Sequence, residues 1–269
     1  MTKIRDFTLT ILGIFFYRFF HKSFIYNSTE DISLYQFKKL KKLLVASSLN
    51  VPYYKELFKE INFNPSKDFK TLADLKKIPV LEQEIVKKSP SKFVNSNIKN
   101  YVLMKTSGTS GIPFSARIDV KHWIVEQAVV WRQWKSFGYR FRDKIGIIRS
   151  YAPKDGDSLI KIDRLRNFIY YSPYHLSDKN CALFYKDMIS RKVKFLRGYP
   201  SSIKIFASYC IKNKLKINSL KGVLLASETL SSSDKVYIQS CFDVPVVNHY
   251  GLAECIVMIG NIHSDNVIY

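Results

Sequence analysis

The amino-acid sequence predicts an α/β protein, with an N-terminal helical segment followed by a mostly parallel sheet covered by helices. After residue 100, short apolar runs alternate at least four times with segments of helical periodicity, which is the pattern of parallel strands joined by crossover helices. Before residue 100, apolar residues recur mainly at helical spacing. The chain has 269 residues, of which 46% are hydrophobic and 24% are charged, so it can build a sizeable core.

The apolar run FTLTILGIFFYRFF, at residues 7–20, leaves two interpretations open. It is shorter than the ~20 apolar residues that a membrane-spanning helix needs, and it contains Arg18. It is not followed by the small-residue cleavage site of a signal peptide. It is either a helix packed on the body of the protein or an interfacial helix, in which case residues 1–25 make a peripheral contact with an anionic membrane.

Residues 1–100 are predicted to form a mostly helical segment packed on the core. Helical spacing extends from Ile32 to Leu49, and this helix carries the densest group of lysines, at positions 38, 39, 41 and 42. Pro52 marks the start of a further short amphipathic helix. An apolar turn-and-helix segment follows at residues 72–81.

Residues 101–269 are predicted to form the α/β core. Strands are expected at residues 101–104, 144–149, 193–196, 222–226 and 245–248, and helices at residues 119–137, 177–191, 201–212 and 231–241. Asp119 is a candidate N-cap for the first of these helices, and Ser201 or Ser202 for the third. The tryptophans at positions 123, 131 and 134 have the helical spacing of core residues, and the alternative is that they line a ligand pocket.

The composition indicates which binding partners and which cellular compartment to expect. The net charge of +21 comes mainly from scattered lysines, which outnumber arginines 32 to 11. Because bidentate phosphate recognition favours arginine, we expect a solvated basic surface and no nucleic-acid partner. The four cysteines form no CxxC pair, which disfavours a zinc module and a disulfide scaffold. We therefore expect a cytoplasmic protein, located at the inner membrane face if residues 1–25 contact lipid.

A polar loop follows the strand predicted at residues 101–104. Ligands of parallel sheets bind outside the carboxyl ends of strands, and a loop rich in hydroxyl side chains and glycine suits phosphate oxygens, unless it is only a flexible turn. No Gly-Lys-Ser/Thr follows, so this is not a Walker A motif. The loop consists of Thr106, Ser107, Gly108, Thr109, Ser110 and Gly111.

Two more polar motifs follow later strands. In ASETL, at residues 226–230, Glu228 is either a ligand contact or an acid that stabilises the dipole of the following helix. In NHYGLAE, at residues 248–254, Tyr250 is available to stack on a base, and Glu254 is available to hold a divalent cation together with phosphates. For His249, a packed, hydrogen-bonded side chain is a simpler expectation than a catalytic base.

In this order, the three motifs resemble those of the adenylate-forming superfamily of acyl-CoA ligases. The sequence is most similar to the phenylacetate–CoA ligase family, in its capsular-polysaccharide biosynthesis branch. The similarity extends across most of the chain. It rests on the segments VPYYKELFKEINFNP, LADLKKIPVLEQEIV, TSGTSGIP, FLRGYPSSIKIFA and ASETLSSSDKVYIQSCFDVPVVNHYGLAE.

The resemblance implies an ATP-dependent, AMP-forming reaction. The carboxylate of a small-molecule substrate would attack the α-phosphorus of ATP and give an acyl-adenylate and pyrophosphate, with Mg²⁺ as the metal ion. Catalysis of this kind rests on positioning and on neutralisation of charge. The final acceptor of the acyl group stays open between CoA, an amine and a sugar.

The resemblance also implies roles for individual residues. The loop at residues 106–111 would hold the ATP phosphates, residues 226–228 would line the adenine, and Tyr250 would stack on it. His249 and Gly251 would face the acyl pocket. The positions carried over for nucleotide binding, besides the loop, are Ser227, Glu228, Tyr250 and Gly251, and the position carried over for the metal is Glu254.

The sequence departs from the family pattern at two places. Phe114 stands where many members have a lysine after the proline. The chain ends at NVIY, where the resemblance implies a further C-terminal part with a ribose-binding aspartate, a hinge and a catalytic lysine. We therefore expect a truncated chain whose partner is a missing C-terminal half, and which alone binds ATP weakly. The alternative is a non-catalytic remnant or a membrane-surface binding module of a polysaccharide biosynthesis system.

Overall fold

A computed structural model describes residues 2–20, 28–105, 115–252, 255–263 and 266–268. They divide into a larger unit, Met1–Tyr17 with Ile124–Tyr269, and a smaller unit, Arg18–Trp123. The helices are α1 (Thr2–Phe20), α2 (Thr29–Asn50), α3 (Pro52–Glu60), α4 (Pro65–Asp68), α5 (Gln83–Lys88), α6 (Val120–Ser136), α7 (Asp178–Arg191), α8 (Pro200–Lys212) and α9 (Ser232–Phe242). The strands are β1 (Tyr101–Lys105), β2 (Ser115–Asp119), β3 (Ile145–Ile148), β4 (Ile160–Asp163), β5 (Phe168–Tyr171), β6 (Phe195–Gly198), β7 (Gly222–Ala226), β8 (Val246–Gly251), β9 (Met258–His263) and β10 (Asn266–Ile268).

Helices α2 and α3 of the smaller unit pack around an aromatic core. Helix α2 starts after Ser28, whose hydroxyl accepts a hydrogen bond from the backbone N–H of Asp31 at 3.1 Å. Pro52 occupies the first turn of α3, where its missing N–H costs nothing. The helices predicted at residues 32–49 and after Pro52 are thus confirmed. The buried residues of this core are Leu44, Phe58, Phe63 and Phe69.

Strands β1 and β2 form a separate antiparallel ribbon in the smaller unit, with Tyr101 opposite Asp119. The strand predicted at residues 101–104 therefore exists, but it pairs in this ribbon and not in the parallel sheet. The carboxylate of Asp119 accepts a hydrogen bond from the backbone N–H of Lys121 at 2.8 Å. It thereby satisfies a free donor in the first turn of α6, as its prediction as an N-cap requires.

The larger unit contains an eight-stranded sheet in the order β10-β9-β8-β7-β6-β3-β5-β4. The central strands β5, β3, β6, β7 and β8 are parallel neighbours. At the two edges, β4, β9 and β10 pair antiparallel. The expected α/β architecture with a mostly parallel sheet is confirmed.

Helices cover both faces of this sheet. Helices α7, α8 and α9 lie on one face, where Phe184, Phe206 and Ile238 are fully buried against the strands. Helix α6 lies on the other face, where Trp134 packs into a cluster with Phe195. Strands that are buried on both faces have continuous apolar sequences, which is why β3 reads IGII and β7 reads GVLLA.

Helix α1 packs against α6 within the larger unit. Gly13 lies so close to α6 that a Cβ atom at this position would come within 2.6 Å of Gln127 Cβ. The rings of Phe7 and Phe141 lie 6.2 Å apart between centroids. By contrast, Leu12 and Phe15 of the same helix are 44% and 56% exposed.

Membrane contact through residues 1–25 remains a prediction. None of the helices within the described ranges combines the length and the apolarity that crossing a bilayer requires.

Candidate functional site

The carboxyl ends of β7 and β8 lie side by side at one edge of the sheet. The parallel register aligns Ala226 of β7 with His249 of β8. Neighbouring strands are about 4.8 Å apart, so the residues that follow, Ser227 and Tyr250, are neighbours as well. The structure thus brings together two of the residues that the sequence nominates for the nucleotide site.

Ser227 has a left-handed backbone conformation, with φ at +74°. Residues with a Cβ atom adopt this region rarely, and such conformations cost on the order of 1–3 kcal/mol and occur preferentially at functional sites. The conformation turns the chain sharply as it leaves β7. It therefore fixes where the next residue, Glu228, projects from the sheet edge.

The carboxylate of Glu228 binds the first turn of α8. It accepts hydrogen bonds from the backbone N–H and the hydroxyl of Ser201, each at 3.0 Å. The N-cap of α8 is Tyr199, which makes no side-chain capping bond, so Glu228 supplies the acceptor from a distant loop. The sequence left Glu228 open between a ligand contact and an acid that stabilises the helix that follows it. In the structure it contacts α8, the helix that precedes it in the chain.

The prediction of Ser201 or Ser202 as the N-cap of α8 was wrong. The helix starts at Pro200, because proline is favoured in the first helical position, where its fixed φ suits the helix and its missing N–H is not needed. Ser201 is therefore the second residue of the helix. Its N–H is then one of the free donors of the first turn, which is why it can bind Glu228.

Substituting Glu228 by alanine should lower the free energy of unfolding by about 1–2 kcal/mol, because the first turn of α8 loses a charged acceptor. Urea denaturation followed by circular dichroism measures this change. Asp155→Ala is the matched control, since Asp155 is an exposed acid of the same unit. Equal stability of the two variants would contradict a capping role for Glu228.

Of the other residues that the sequence nominates for the site, the structure describes Tyr250 and Gly251. The ring of Tyr250 is 56% exposed at the end of β8 and is accessible to a flat ligand. Gly251 lies close to the preceding histidine, since a Cβ atom there would lie 3.1 Å from His249 Nε2. The loop of residues 106–111 and Glu254 lie outside the described residues, so their roles stay predictions.

His249 lies on the face of the sheet that α6 covers, and it is held in its neutral form. Burial, together with the positive charges of nearby Arg197 and Arg149, lowers the pKa of its imidazole from 6.5 to about 4. Its Nδ1 atom is buried, and none of the described groups hydrogen-bonds to it. The expected packing of His249 is present, but its ring keeps an unused hydrogen-bonding position.

Two arginines lie beside His249 on this face. The guanidinium of Arg197 lies over the ring of Trp134, 4.8 Å from its centroid, and that of Arg149 lies over Tyr199 at 5.4 Å. Burial, together with repulsion by Arg149, lowers the pKa of Arg197 from 12.5 to about 9. Arg197 nevertheless keeps its positive charge at neutral pH.

The carboxylate of Glu126, on α6, interacts electrostatically with both arginines. Burial raises the pKa of Glu126, and this is opposed by a hydrogen bond from Cys255 and by the positive charges of Arg197 and Arg149. The Sγ of Cys255 donates that hydrogen bond to Glu126 Oε2 at 2.9 Å. The face under α6 therefore contains a polar group of side chains in an otherwise apolar layer. We call Glu126, Arg149, Arg197 and His249 the α6-face cluster.

Sequence reasoning did not single out Glu126, Arg149 or Arg197. A signal for the two arginines was present, because each stands at the end of an apolar run, in GIIRS and in FLRG. A charge at the carboxyl end of a buried strand is uncommon unless it is paired or functional. Glu126 carried no such signal, since an acid inside an amphipathic helix usually faces solvent.

The described residues were also searched for a metal site. Within them, no group of three or more His, Cys, Asp or Glu side chains is arranged to hold a metal ion. The only nominated metal ligand, Glu254, is outside this part of the chain. Binding of Mg²⁺ is therefore carried forward as a proposal.

Solved structures of acyl-CoA ligases have the same fold. 2-Hydroxyisobutyryl-CoA ligase, in an open conformation with 2-HIB-AMP and CoA, matches 84% of this chain and 55% of its own, with a TM-score of 0.65 and 17% identity. The same ligase in its thioesterification state matches with a TM-score of 0.66 and 18% identity, over 84% of this chain and 50% of its own. This chain thus spans about half the length of these structures. Similarity at this level of identity shows a shared fold.

Comparisons at the level of sequence give no match. No protein-family model and no curated protein sequence matches the chain.

Proposed function

We propose that this chain carries the ATP- and acid-binding part of an AMP-forming carboxylate ligase, of the phenylacetate–CoA ligase family and its capsular-polysaccharide branch. In the proposed reaction, a carboxylate oxygen forms a bond to the α-phosphorus of ATP. The bond from that phosphorus to the bridging oxygen breaks, and pyrophosphate leaves. The acyl group then passes to an acceptor, for which CoA is the leading candidate.

The observation that carries the proposal is the adjacency of Ser227 and Tyr250 at the carboxyl ends of β7 and β8. These are neighbouring parallel strands, and ligands of such sheets bind outside this edge. Both residues belong to motifs that the sequence nominates for the nucleotide site. The shared fold with an acyl-CoA ligase supports the same placement.

Each residue has a distinct part in the proposed site. The exposed ring of Tyr250 stacks on the adenine, while the constrained turn at Ser227 lines its edge. The backbone N–H groups of residues 106–111 hold the phosphates. Glu254 would bind Mg²⁺, which supplies neutralisation of phosphate charge. Neutral His249 and the two arginines face the acid, on the side of the sheet under α6.

Nucleotide binding is the primary test, because the chain spans about half of the matched ligases and turnover is a property proposed for the whole protein. Titration calorimetry of the chain with ATP and Mg²⁺ should give saturable binding. Tyr250→Ala should weaken that binding by about tenfold, since base–aromatic stacking contributes about 1–3 kcal/mol. Tyr174→Ala is the matched control, because this tyrosine is 66% exposed elsewhere in the larger unit.

The outcomes separate the two functional candidates. Binding that depends on Tyr250, with acid-dependent release of pyrophosphate by the chain joined to the C-terminal part that the resemblance implies, supports the ligase. Binding without release by that joined protein supports the alternative of a non-catalytic module that keeps the nucleotide site. Absence of ATP binding, or equal binding by the two tyrosine variants, would overturn the proposed site.

A further inference from the structure

We infer, on the premise of the proposed adenylation, that the acid accepted by this chain is a dicarboxylic acid, whose second carboxylate is bound by Arg149 and Arg197. The inference concerns the α6-face cluster and goes beyond the proposed reaction, which requires only one carboxylate. Four features of the cluster support it: depth, charge, accessibility and an unused hydrogen-bonding atom.

The first feature is depth. Arg197 aligns with Ile147 of β3 and with Leu224 of β7 in the parallel register. Leu224 precedes Ala226 by two residues, and Ala226 aligns with His249. At about 3.3 Å per residue, Arg197 lies about 7 Å further from the carboxyl edge than His249 does. The cluster therefore extends about 7 Å below that edge, from His249 to Arg197, so a carboxylate that it binds lies deeper than one that reacts at the edge.

The second feature is the balance of charge. The cluster holds two guanidinium groups and one carboxylate, Glu126, while His249 is neutral at pH 7. The nearby Arg166 does not change this balance, since it is paired with Asp163 at 2.8 Å. Among the described residues, no ion pair joins Arg149 or Arg197 to an acid. A half-buried excess of positive charge is costly, and a bound anion would neutralise it.

The third feature is accessibility. Arg149, Arg197, Glu126 and His249 are all half-buried, so solvent reaches the cluster although it lies under α6. A buried structural ion pair would be sealed from solvent and matched in charge. This cluster is neither, which is the expected state of a site that admits a small anionic group.

The fourth feature is the unused atom. The Nδ1 of His249 is buried without a hydrogen-bond partner among the described groups. A neutral imidazole can donate one hydrogen bond, and a carboxylate oxygen is a suitable acceptor. The planar guanidinium of Arg197 can bind the same carboxylate through two parallel N–H groups. A second carboxylate therefore satisfies both the charge and the hydrogen-bonding capacity of the cluster.

The test compares acids of equal chain length that differ only in the second carboxylate. Calorimetry at low salt would measure binding of succinate, glutarate and adipate to the full chain, against butyrate, pentanoate and hexanoate. We expect the best dicarboxylate to bind at least about tenfold more tightly than its monocarboxylate partner, because hydrogen bonds between charged groups are the strong ones. Equal affinities across all three pairs would overturn the inference.

Substitutions at Arg197 and Glu126 are expected to change dicarboxylate binding in opposite directions, which a general folding defect would not do. Arg197→Gln should remove the preference for the dicarboxylate, and Arg197→Lys should restore part of it. Glu126→Gln should strengthen dicarboxylate binding, because it removes the charge that competes for the arginines. Arg164→Gln, at an exposed arginine of the same unit, is the control and should leave the preference unchanged. Weaker binding by the Glu126 variant would contradict the inference.

Parallel titration with ATP distinguishes failure of this inference from failure of the proposed function. ATP binding with no preference for dicarboxylates would overturn the inference and leave the ligase proposal standing. A dicarboxylate preference without ATP binding would overturn the ligase proposal and leave an anion-binding site at the α6-face cluster.

Discussion

Replacement of Phe195 by alanine is expected to lower the free energy of unfolding by about 3–5 kcal/mol. Phe195 lies in the centre of the parallel sheet, is fully buried, and packs edge-on against Tyr139 with 5.5 Å between ring centroids. It also lies against the backbone of the next strand, where a Cβ atom on Gly222 would be 3.2 Å from its ring. Truncation leaves a cavity that a sheet flanked by helices cannot close.

Urea denaturation measures this effect as a lower transition midpoint with an unchanged slope. Phe195→Leu is the control, since it keeps most of the volume and should cost less than about 1.5 kcal/mol. A loss below about 1 kcal/mol for the alanine variant would show that the sheet can repack at this position, contrary to the structure.

Acidification from pH 6.5 to pH 4 is expected to destabilise the protein through His249, by at most about 3 kcal/mol. The pKa of His249 is lowered from 6.5 to about 4 in the folded state, chiefly by burial, and Arg197 and Arg149 contribute. The folded state therefore binds fewer protons than the unfolded state in this range. The stabilising contribution is fully present above pH 6.5 and is lost as the pH falls through the folded pKa.

Other groups also titrate in or near the range from pH 6.5 to pH 4. The prediction therefore concerns the difference in pH-dependent stability between the parent and its variants. Glu126 has a raised pKa and acts in the opposite direction, while Asp143 and Asp163 have lowered pKa values and destabilise mainly at lower pH. His249→Phe removes the titrating ring and should flatten the stability curve between pH 6.5 and 4. His122→Gln, at an exposed histidine, should leave the curve unchanged. A curve for the His249 variant that matches the parent would contradict the burial of this imidazole in its neutral form.

Four of the five central parallel strands could be predicted from the sequence, whereas β5 and the antiparallel strands β4 and β9 could not. Strands β3, β6, β7 and β8 are apolar runs bounded by polar residues, and the predicted positions overlap all four. Strand β4 reads IKID, with exposed residues in its middle, because it is an antiparallel edge strand that owes its existence to pairing with β5. A strand that depends on its pairing partner in this way leaves little trace in its own local periodicity.

The candidate site could be predicted only where its residues are close in sequence. The motifs around Ser227 and Tyr250 are short, and each follows a recognisable strand. The α6-face cluster joins Glu126, Arg149 and Arg197 from three separate elements, and only the register of the sheet and the packing of α6 bring them together. The contact of Glu228 with α8 has the same origin, since the hydrogen bond spans 27 residues of sequence.

The packing of α1 on α6 has a consequence for the order of events during synthesis. The first residues of the chain belong to the larger unit, but the rest of that unit starts at Ile124. At a synthesis rate of about 5–20 residues per second, α1 emerges roughly 5–20 s before the segment that covers Gly13. During this interval the apolar face of α1 has no native partner, so a nascent chain is expected to expose it to chaperones or to the membrane surface before the larger unit can close.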